Sequence, residues 1–339
     1  MNFMRKSALT VIICTIFILA GFGADKPAYR IFNNKGKSSG YKELLKETSS
    51  ANLVFFGEIH DNSLCHWLEL QLAKDLYAAK GSHLVMGAEM FETDNQLLLN
   101  EYVTRQIIRK KDFEAEAKLW PNYKTDYAPL VDFARENKIK FVATNIPRRF
   151  AAIVNFNGFE GLDSILANER GLMASLPIPY DSSLNCYQNI ARATEGMAHM
   201  GMSLAEAQAM KDATMATFIL KNTAIDSSIF LHFNGSYHSD NYEGIVWMAK
   251  QYLRRGNFSP KIITIATVEQ KDLDELEKTN EGKADFIIVI PSDMTKTYRV
   301  DLPLMSIPTP ASAEKQNPEN KPKPKPKPKE EDQVDDDDD

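Results

Sequence analysis

The stretch "NLVFFGEIHDN", residues 52–62, joins a short apolar run to two closely spaced polar side chains. Its first part, residues 52–57, has the continuous apolar character of a buried strand. Glu58 and His60 lie two positions apart, so an extended backbone directs both side chains to the same side. A carboxylate beside an imidazole fits a divalent metal site, or a general base with its orienting group. Alternatively, the pair only caps the helix that begins near Ser63.

Five further apolar runs of the same kind follow along the chain. They occupy residues 83–88, 139–144, 228–234, 261–267 and 285–290. Segments with helical spacing separate them, and this alternation predicts an α/β fold with a largely parallel sheet flanked by helices. The third and fourth of all six runs are roughly 80 residues apart, which predicts an inserted helical lid at about 150–226.

Polar side chains stand at the ends of several predicted strands. Glu89 follows the second run, and His238 follows the fourth. Ligands of open α/β sheets bind outside the carboxyl ends of the strands, where these side chains would meet Glu58 and His60. We predict one polar crevice in which all four are catalytic groups. In this prediction Glu58, His60 and His238 hold a divalent metal. His232, inside a strand, is interpreted as a hydrogen-bonded core residue.

Two other stretches suit a flat apolar ligand that carries carboxylates, such as haem. "NIPRR" places Arg148 and Arg149 near a predicted helix amino terminus, a position that favours carboxylate binding. "GMAHMGM" surrounds His199 with methionines, which pack well against a porphyrin. The alternatives are ordinary core packing for the methionine-rich stretch and surface solubility for the arginine pair.

The two ends of the chain differ in composition from the segment between them. Residues 1–24 contain Arg5 and Lys6 before an apolar run, which predicts a signal peptide and therefore export; an uncleaved anchor is the alternative. Residues 311–339 alternate Lys with Pro and then become acidic, which predicts a disordered tail. We assign residues 25–310 to the α/β domain.

Charge and cysteine content exclude some classes of function. The formal net charge of −6 lies largely in the acidic tail, and no basic stripe interrupts the rest, so nucleic acid is not a predicted partner. Cys65 and Cys186 remain after removal of the signal peptide, which permits one disulfide but no cysteine-based zinc site. The sequence contains no phosphate-binding Gly-x-x-x-x-Gly-Lys loop.

Five segments together resemble the ChaN-like haem-binding uptake proteins. In chain order they read "FFGEIHDN", "GAEMFETDNQ", "YAPLVDFARENKIKFVATNIPRR", "AQAMKDATMA" and "FNGSYHSDNYEGI". The resemblance covers about residues 40–295. It also places the chain near TraB, the TIKI proteins and the erythromycin esterases, which share a superfamily with ChaN.

This resemblance implies an exported, periplasmic or cell-envelope protein that binds haem and acts in haem or iron acquisition. Family members are described as using a Tyr as iron ligand and as pairing two haems in a dimer. Tyr123, Tyr127 and Tyr237 are the tyrosines near the expected crevice. The implied partners are a second copy of the chain and outer-membrane or cell-surface haem-uptake components.

The wider superfamily implies an alternative function. Its Gly-Glu-x-His segment, a further Glu and a downstream His match Gly57 with Glu58, His60, Glu89 and His238. TIKI-like members resemble metal-dependent proteases, and the esterases are hydrolases. The alternative is therefore a metal-dependent hydrolase in which the crevice activates water.

Overall fold

A mixed sheet of eight strands forms the centre of the computed structural model, which describes residues 26–195, 202–223, 228–254, 256 and 258–298. The strands are β1 Arg30–Asn33, β2 Ser38–Ser39, β3 Leu53–Glu58, β4 Leu84–Glu92, β5 Lys140–Asn145, β6 Ile229–Gly235, β7 Ile262–Gln270 and β8 Phe286–Pro291. Their order in the sheet is β2-β1-β8-β7-β3-β6-β4-β5. Strands β3 to β8 run parallel, whereas β1 is antiparallel to β8 and β2 is antiparallel to β1.

The six apolar runs correspond to β3 to β8, so the predicted α/β class and largely parallel sheet are confirmed. The antiparallel edge was missed. Strand β1 is four residues long, and β2 consists of two serines, so neither carries the continuous apolar run that marks a buried strand.

Helices cover both faces of this sheet. They are α1 Tyr41–Ser49, α2 Ser63–Lys80, α3 Gln96–Leu99, α4 Lys110–Glu116, α5 Ala128–Glu136, α6 Arg148–Asn157, α7 Asn185–Ala193, α8 Leu204–Lys221 and α9 Gly244–Leu253. Helix α2 begins at an Asn62 cap, whose side chain accepts hydrogen bonds from the backbone N–H groups of Leu64 and Cys65. It ends before Gly81, whose φ of 56° is left-handed and therefore suited to glycine.

Alternation along β3 separates two hydrophobic layers. Val54 and Phe56 pack on the face that α2 and α5 cover, and Leu53 and Phe55 pack on the opposite face with α6, α8 and α9. Successive side chains of a strand point to opposite faces, so a strand buried on both sides is apolar at every position. This explains why the opening run reads as an unbroken apolar stretch.

The insertion between β5 and β6 is helical, as predicted, and contains α6, α7 and α8. Helix α8 packs against α6, α9 and β5, with Met210 and Met215 in the core. The described part of the methionine-rich stretch therefore contributes to core packing. His199 lies outside the described residues, and the predicted lid role stays a prediction.

The predicted signal peptide, residues 1–24, and the predicted tail, residues 311–339, lie outside the described residues. Within the described part of the chain, no helix is long and apolar enough to cross a membrane. Cys65 and Cys186 are both buried and free, so the disulfide that their number permits is not formed.

Candidate functional site

Three adjacent strands bring the four predicted crevice residues to one edge of the sheet. Glu58 ends β3, Glu89 lies near the end of β4, and His238 ends the short turn Ser236–His238 that follows β6. Because β6 lies between β3 and β4, the carboxyl ends of all three strands are neighbours. This is the position at which open α/β sheets bind ligands.

Glu58 and His60 form the first pair of the crevice. His60 Nδ1 lies 2.6 Å from Glu58 Oε1, which also accepts a hydrogen bond of 2.7 Å from the Tyr127 hydroxyl. Glu58 is buried, whereas 44% of the His60 side chain is exposed. The earlier alternative that Glu58 and His60 cap a helix is wrong, because Asn62 is the cap.

The pKa values of this pair move apart. Burial by itself raises the pKa of Glu58, but the hydrogen bond from His60 and the charges of His66 and His60 outweigh it, and the pKa lies below its usual range. Burial by itself lowers the pKa of His60, yet the hydrogen bond and charge of Glu58 raise it overall. The pair therefore favours an imidazolium beside a carboxylate.

His238 forms the second pair with Glu89 and has a further partner. Its Nε2 lies 3.2 Å from Glu89 Oε1, and its Nδ1 lies 2.5 Å from Oδ1 of Asp212 on α8. All three side chains are buried. Burial alone would lower the pKa of His238, but the two carboxylates raise it to about 10. Burial alone would raise the pKa of Glu89, but the charge of His238 and its hydrogen bond hold this pKa well below its usual range.

Gly235 lies between the two pairs. Its backbone N–H donates a hydrogen bond of 2.8 Å to Glu89 Oε2. A Cβ at this position would lie only 2.7 Å from Nε2 of His60 and 3.6 Å from Oε2 of Glu89. His60 and Glu89 therefore approach the same glycine, and the four predicted residues lie close together at one edge of the sheet. Their predicted catalytic roles are not tested by this geometry.

The sequence of residues 44–248 matches the family described as haem-binding uptake, Tiki superfamily, ChaN. The chain belongs to this family. No curated protein matches the chain. Among solved structures, ChaN of Campylobacter jejuni, described with cofacial haem binding, is 18% identical with a TM-score of 0.59, over 77% of this chain and 96% of that one. This likeness agrees with the α/β fold described above.

Two further solved structures are more distant. A mutant of the erythromycin esterase EreC in its open conformation is 11% identical with a TM-score of 0.45, over 81% of this chain and all of that one. A Bacillus cereus protein is 12% identical with a TM-score of 0.44, over 74% of this chain and 90% of that one.

The three tyrosines considered as ChaN-type iron ligands occupy different environments. Tyr127 is buried, and its hydroxyl donates to Glu58. Tyr123 is also buried, and its hydroxyl has no hydrogen-bond partner among the described residues. Tyr237 directly precedes His238, is 41% exposed, and donates its hydroxyl to the carbonyl oxygen of Cys186. Tyr237 is therefore the most accessible of the three.

Arg148 and Arg149 begin α6, directly after Pro147, as the sequence predicts. Arg148 donates from Nε to Glu92 Oε1 at 2.5 Å, and Arg149 donates to Asp94. Both side chains are exposed, and the terminal nitrogens of Arg148 form no other hydrogen bond among the described residues. Arg148 thus has donors available for a carboxylate.

The site also contains two acidic residues that the sequence analysis did not predict. Asp212 is one of them, although a lone acidic residue among the small and apolar residues of α8 could have indicated a buried carboxylate. Glu69 is buried on α2, beside His66. Of the three predicted metal ligands, only Glu58 belongs to a compact group of ligand atoms found among the described residues, and its partners there are His66 and Glu69. The predicted Glu58, His60 and His238 set stays untested.

Proposed function

We propose that this protein is an exported haem-binding protein that acts in haem or iron acquisition. The observation that carries the proposal is the match of residues 44–248 to a haem-binding uptake family. The fold likeness to a ChaN protein described with bound haem is consistent with it.

Tyr237 is our candidate for the haem iron ligand. An iron ligand must reach the macrocycle, and this favours the exposed Tyr237 over the buried Tyr123 and Tyr127. Burial and nearby acidic groups raise the pKa of the Tyr237 hydroxyl, so it is neutral in the free protein. Iron would replace its proton, and the contact with the Cys186 carbonyl would be given up.

Arg148 is our candidate for the residue that binds a haem propionate. It begins a helix, so its terminal nitrogens and the helix amino terminus both favour a carboxylate. Tyr237 follows β6 and Arg148 follows β5, and β4 lies between these strands. Strand spacing places the two strand ends about 10 Å apart, a separation that suits one macrocycle bound at both its iron and its periphery.

A haemin titration followed by absorption spectroscopy tests this proposal. The purified protein should shift the Soret band and saturate at one haem per chain. Tyr237→Phe should weaken binding at least about tenfold, which is roughly 1.4 kcal/mol. Tyr123→Phe is the matched control, because it removes a hydroxyl from a buried site, and it should bind haemin like the wild type. A folded wild-type protein that leaves the haemin spectrum unchanged would refute the proposal.

The proposal includes the remaining family-based expectations. It takes residues 1–24 as a signal peptide, 25–310 as the haem-binding domain and 311–339 as a tail. It also takes a homodimer and outer-membrane or cell-surface uptake components as partners. Intact mass of the protein recovered from the cell envelope tests the cleavage, and sedimentation with and without haemin tests the dimer.

A second candidate function is hydrolysis, and the observation that favours it is the environment of His60. A buried carboxylate fixes its Nδ1, while no described side chain hydrogen-bonds to its Nε2. An imidazole held in this way is suited to proton transfer, and His238 beside Glu89 supplies positive charge nearby. If a metal takes part, the predicted ligand set of Glu58, His60 and His238 would require one carboxylate contact of His238 to break.

Hydrolysis of p-nitrophenyl acetate with and without added Zn²⁺ tests this candidate. Activity above background that His60→Ala abolishes supports it. Activity that survives His60→Ala, or no activity in the folded wild type, counts against it.

A further inference from the structure

A group of three buried side chains that could bind a metal ion lies next to the crevice and includes Glu58. Glu58, His66 and Glu69 are all buried, and each offers a ligand atom within 4.8 Å of the other two. Glu58 comes from the end of β3, and the other two lie three residues apart on α2. This group differs from the predicted metal ligands Glu58, His60 and His238. The two sets have only Glu58 in common.

The hydrogen bonds of His66 show which of its nitrogens faces the two carboxylates. Its Nε2 lies 3.1 Å from the carbonyl oxygen of His60, which can only accept, so Nε2 carries the proton. Its Nδ1 lies 3.0 Å from Oε2 of Glu69 and 3.7 Å from Oε2 of Glu58. In the neutral ring, Nδ1 therefore presents a lone pair to two carboxylates, which requires a proton or a cation between them.

Two carboxylate oxygens of the group have no donor. With both carboxyl groups ionised, Oε2 of Glu58 and Oε1 of Glu69 are buried acceptors that no donor of the described residues reaches. Buried acceptors without a donor cost free energy, so such atoms call for an explanation. Asp126 adds further negative charge, since its Oδ2 lies 3.7 Å from Nε2 of His66. Three acidic side chains, those of Glu58, Glu69 and Asp126, thus surround the single imidazole of His66.

We propose that Glu58, His66 and Glu69 bind one divalent transition-metal ion of the zinc class. Imidazole nitrogen and carboxylate oxygen are ligands that Zn²⁺ accepts, and three protein ligands leave the fourth position of a tetrahedral ion for another ligand. The bond from His66 Nε2 to a backbone carbonyl is the usual outer contact of a metal-bound His, and it fixes the ring with Nδ1 facing the ion.

The competing occupant is a proton. Burial, together with the charge of Glu58, raises the pKa of Glu69 well above its usual range, which favours a proton on Glu69 that can be donated to Glu58. Zinc would displace this proton and would neutralise both carboxylates. The ion would bind Oε2 of Glu58. Oε1 of Glu58 would keep its hydrogen bond with Nδ1 of His60.

Zinc content after refolding tests the proposal, because a buried site is loaded as the chain folds. The full chain is unfolded, refolded with Zn²⁺, dialysed briefly against EDTA and assayed by mass spectrometry of the metal. We expect one zinc per chain and a higher melting temperature than that of protein refolded without metal. Absence of retained zinc, with no change in melting temperature, would overturn the proposal.

Two variants locate the ion. Glu69→Gln keeps the shape of the side chain and removes its charge, so it should lose the zinc and the zinc-dependent rise in melting temperature. His60→Ala leaves the backbone carbonyl in place and should keep both. The reverse pattern would assign the ion to the crevice and contradict the proposal. X-ray absorption at the zinc edge of the wild type should show one imidazole and oxygen ligands, and this readout does not depend on the folding of a variant.

Discussion

His60 and His238 occupy equivalent positions at the ends of neighbouring strands, but their surroundings differ. His60 contacts one carboxylate, is partly exposed, and keeps Nε2 free of hydrogen bonds from the described side chains. His238 is buried and contacts Glu89 with one nitrogen and Asp212 with the other. The comparison shows that one imidazole is available for chemistry, while the other is a fixed cation that organises two buried carboxylates.

The largest expected difference between the two imidazoles is in stability. His238→Ala leaves Glu89 and Asp212 buried without their cation, which should cost about 3–5 kcal/mol. His60→Ala should cost only about 1 kcal/mol, because Glu58 keeps the hydrogen bond from Tyr127. Urea unfolding measures both changes. Equal losses in the two variants would remove the distinction.

The second difference is in pH dependence. The folded pKa of His238 is raised to about 10 from an ordinary value near 6.5, so its stabilising contribution is complete below about pH 6.5 and is lost as the pH rises towards 10. This group alone should lower the stability of the wild type by about 1.4 kcal/mol per pH unit inside that window. In His238→Gln the decline should be absent. An NMR titration in which His238 loses its proton near pH 6.5 would contradict the assignment.

Gly235→Ala should affect the two imidazoles unequally. The added Cβ would lie 2.7 Å from Nε2 of His60, and His60 is the movable neighbour because it is exposed. We expect a stability loss of about 1 kcal/mol and a fall of the His60 pKa as its contact with Glu58 is disturbed. In a His60→Ala background the same change should cost almost nothing. A loss that persists in that background would show that backbone contacts dominate.

Tyr127→Phe should have the smallest effect of these substitutions. It removes one of the two hydrogen bonds to Glu58 Oε1 and should cost about 1 kcal/mol or less. Tyr123→Phe is the control, since its hydroxyl has no partner among the described residues, and it should be neutral or slightly stabilising. If both substitutions cost the same, the hydrogen bond to Glu58 contributes nothing measurable.

Six of the eight strands of the described sheet could be predicted from the sequence. The core strands β3 to β8 are buried on both faces, and that burial forces a continuous apolar run such as Leu53 to Phe56. Strands β1 and β2 are short and lie at one end of the sheet, where β1 pairs with β8 and β2 pairs with β1, so neither has the continuous apolar run of a strand buried on both faces. Tertiary context decided these two strands.

The crevice was predictable for a different reason. The topology of a parallel sheet gathers the residues that end its strands, so Glu58, Glu89 and His238 could be grouped without knowledge of their contacts. Asp212 and Glu69 reach the same region from the middle of helices, where no such rule applies. Their partners became evident only when the packing of α8 and α2 was known.

The proposed function depends on haem binding through Tyr237. Resonance Raman spectroscopy of the ferric haem complex identifies the iron ligand, because tyrosinate and imidazole ligands give different spectra. We predict a tyrosinate–iron signature in the wild type that His60→Ala preserves and Tyr237→Phe abolishes. A complex that carries an imidazole signature lost in His60→Ala, or a folded protein that forms no haem complex, would contradict the claim.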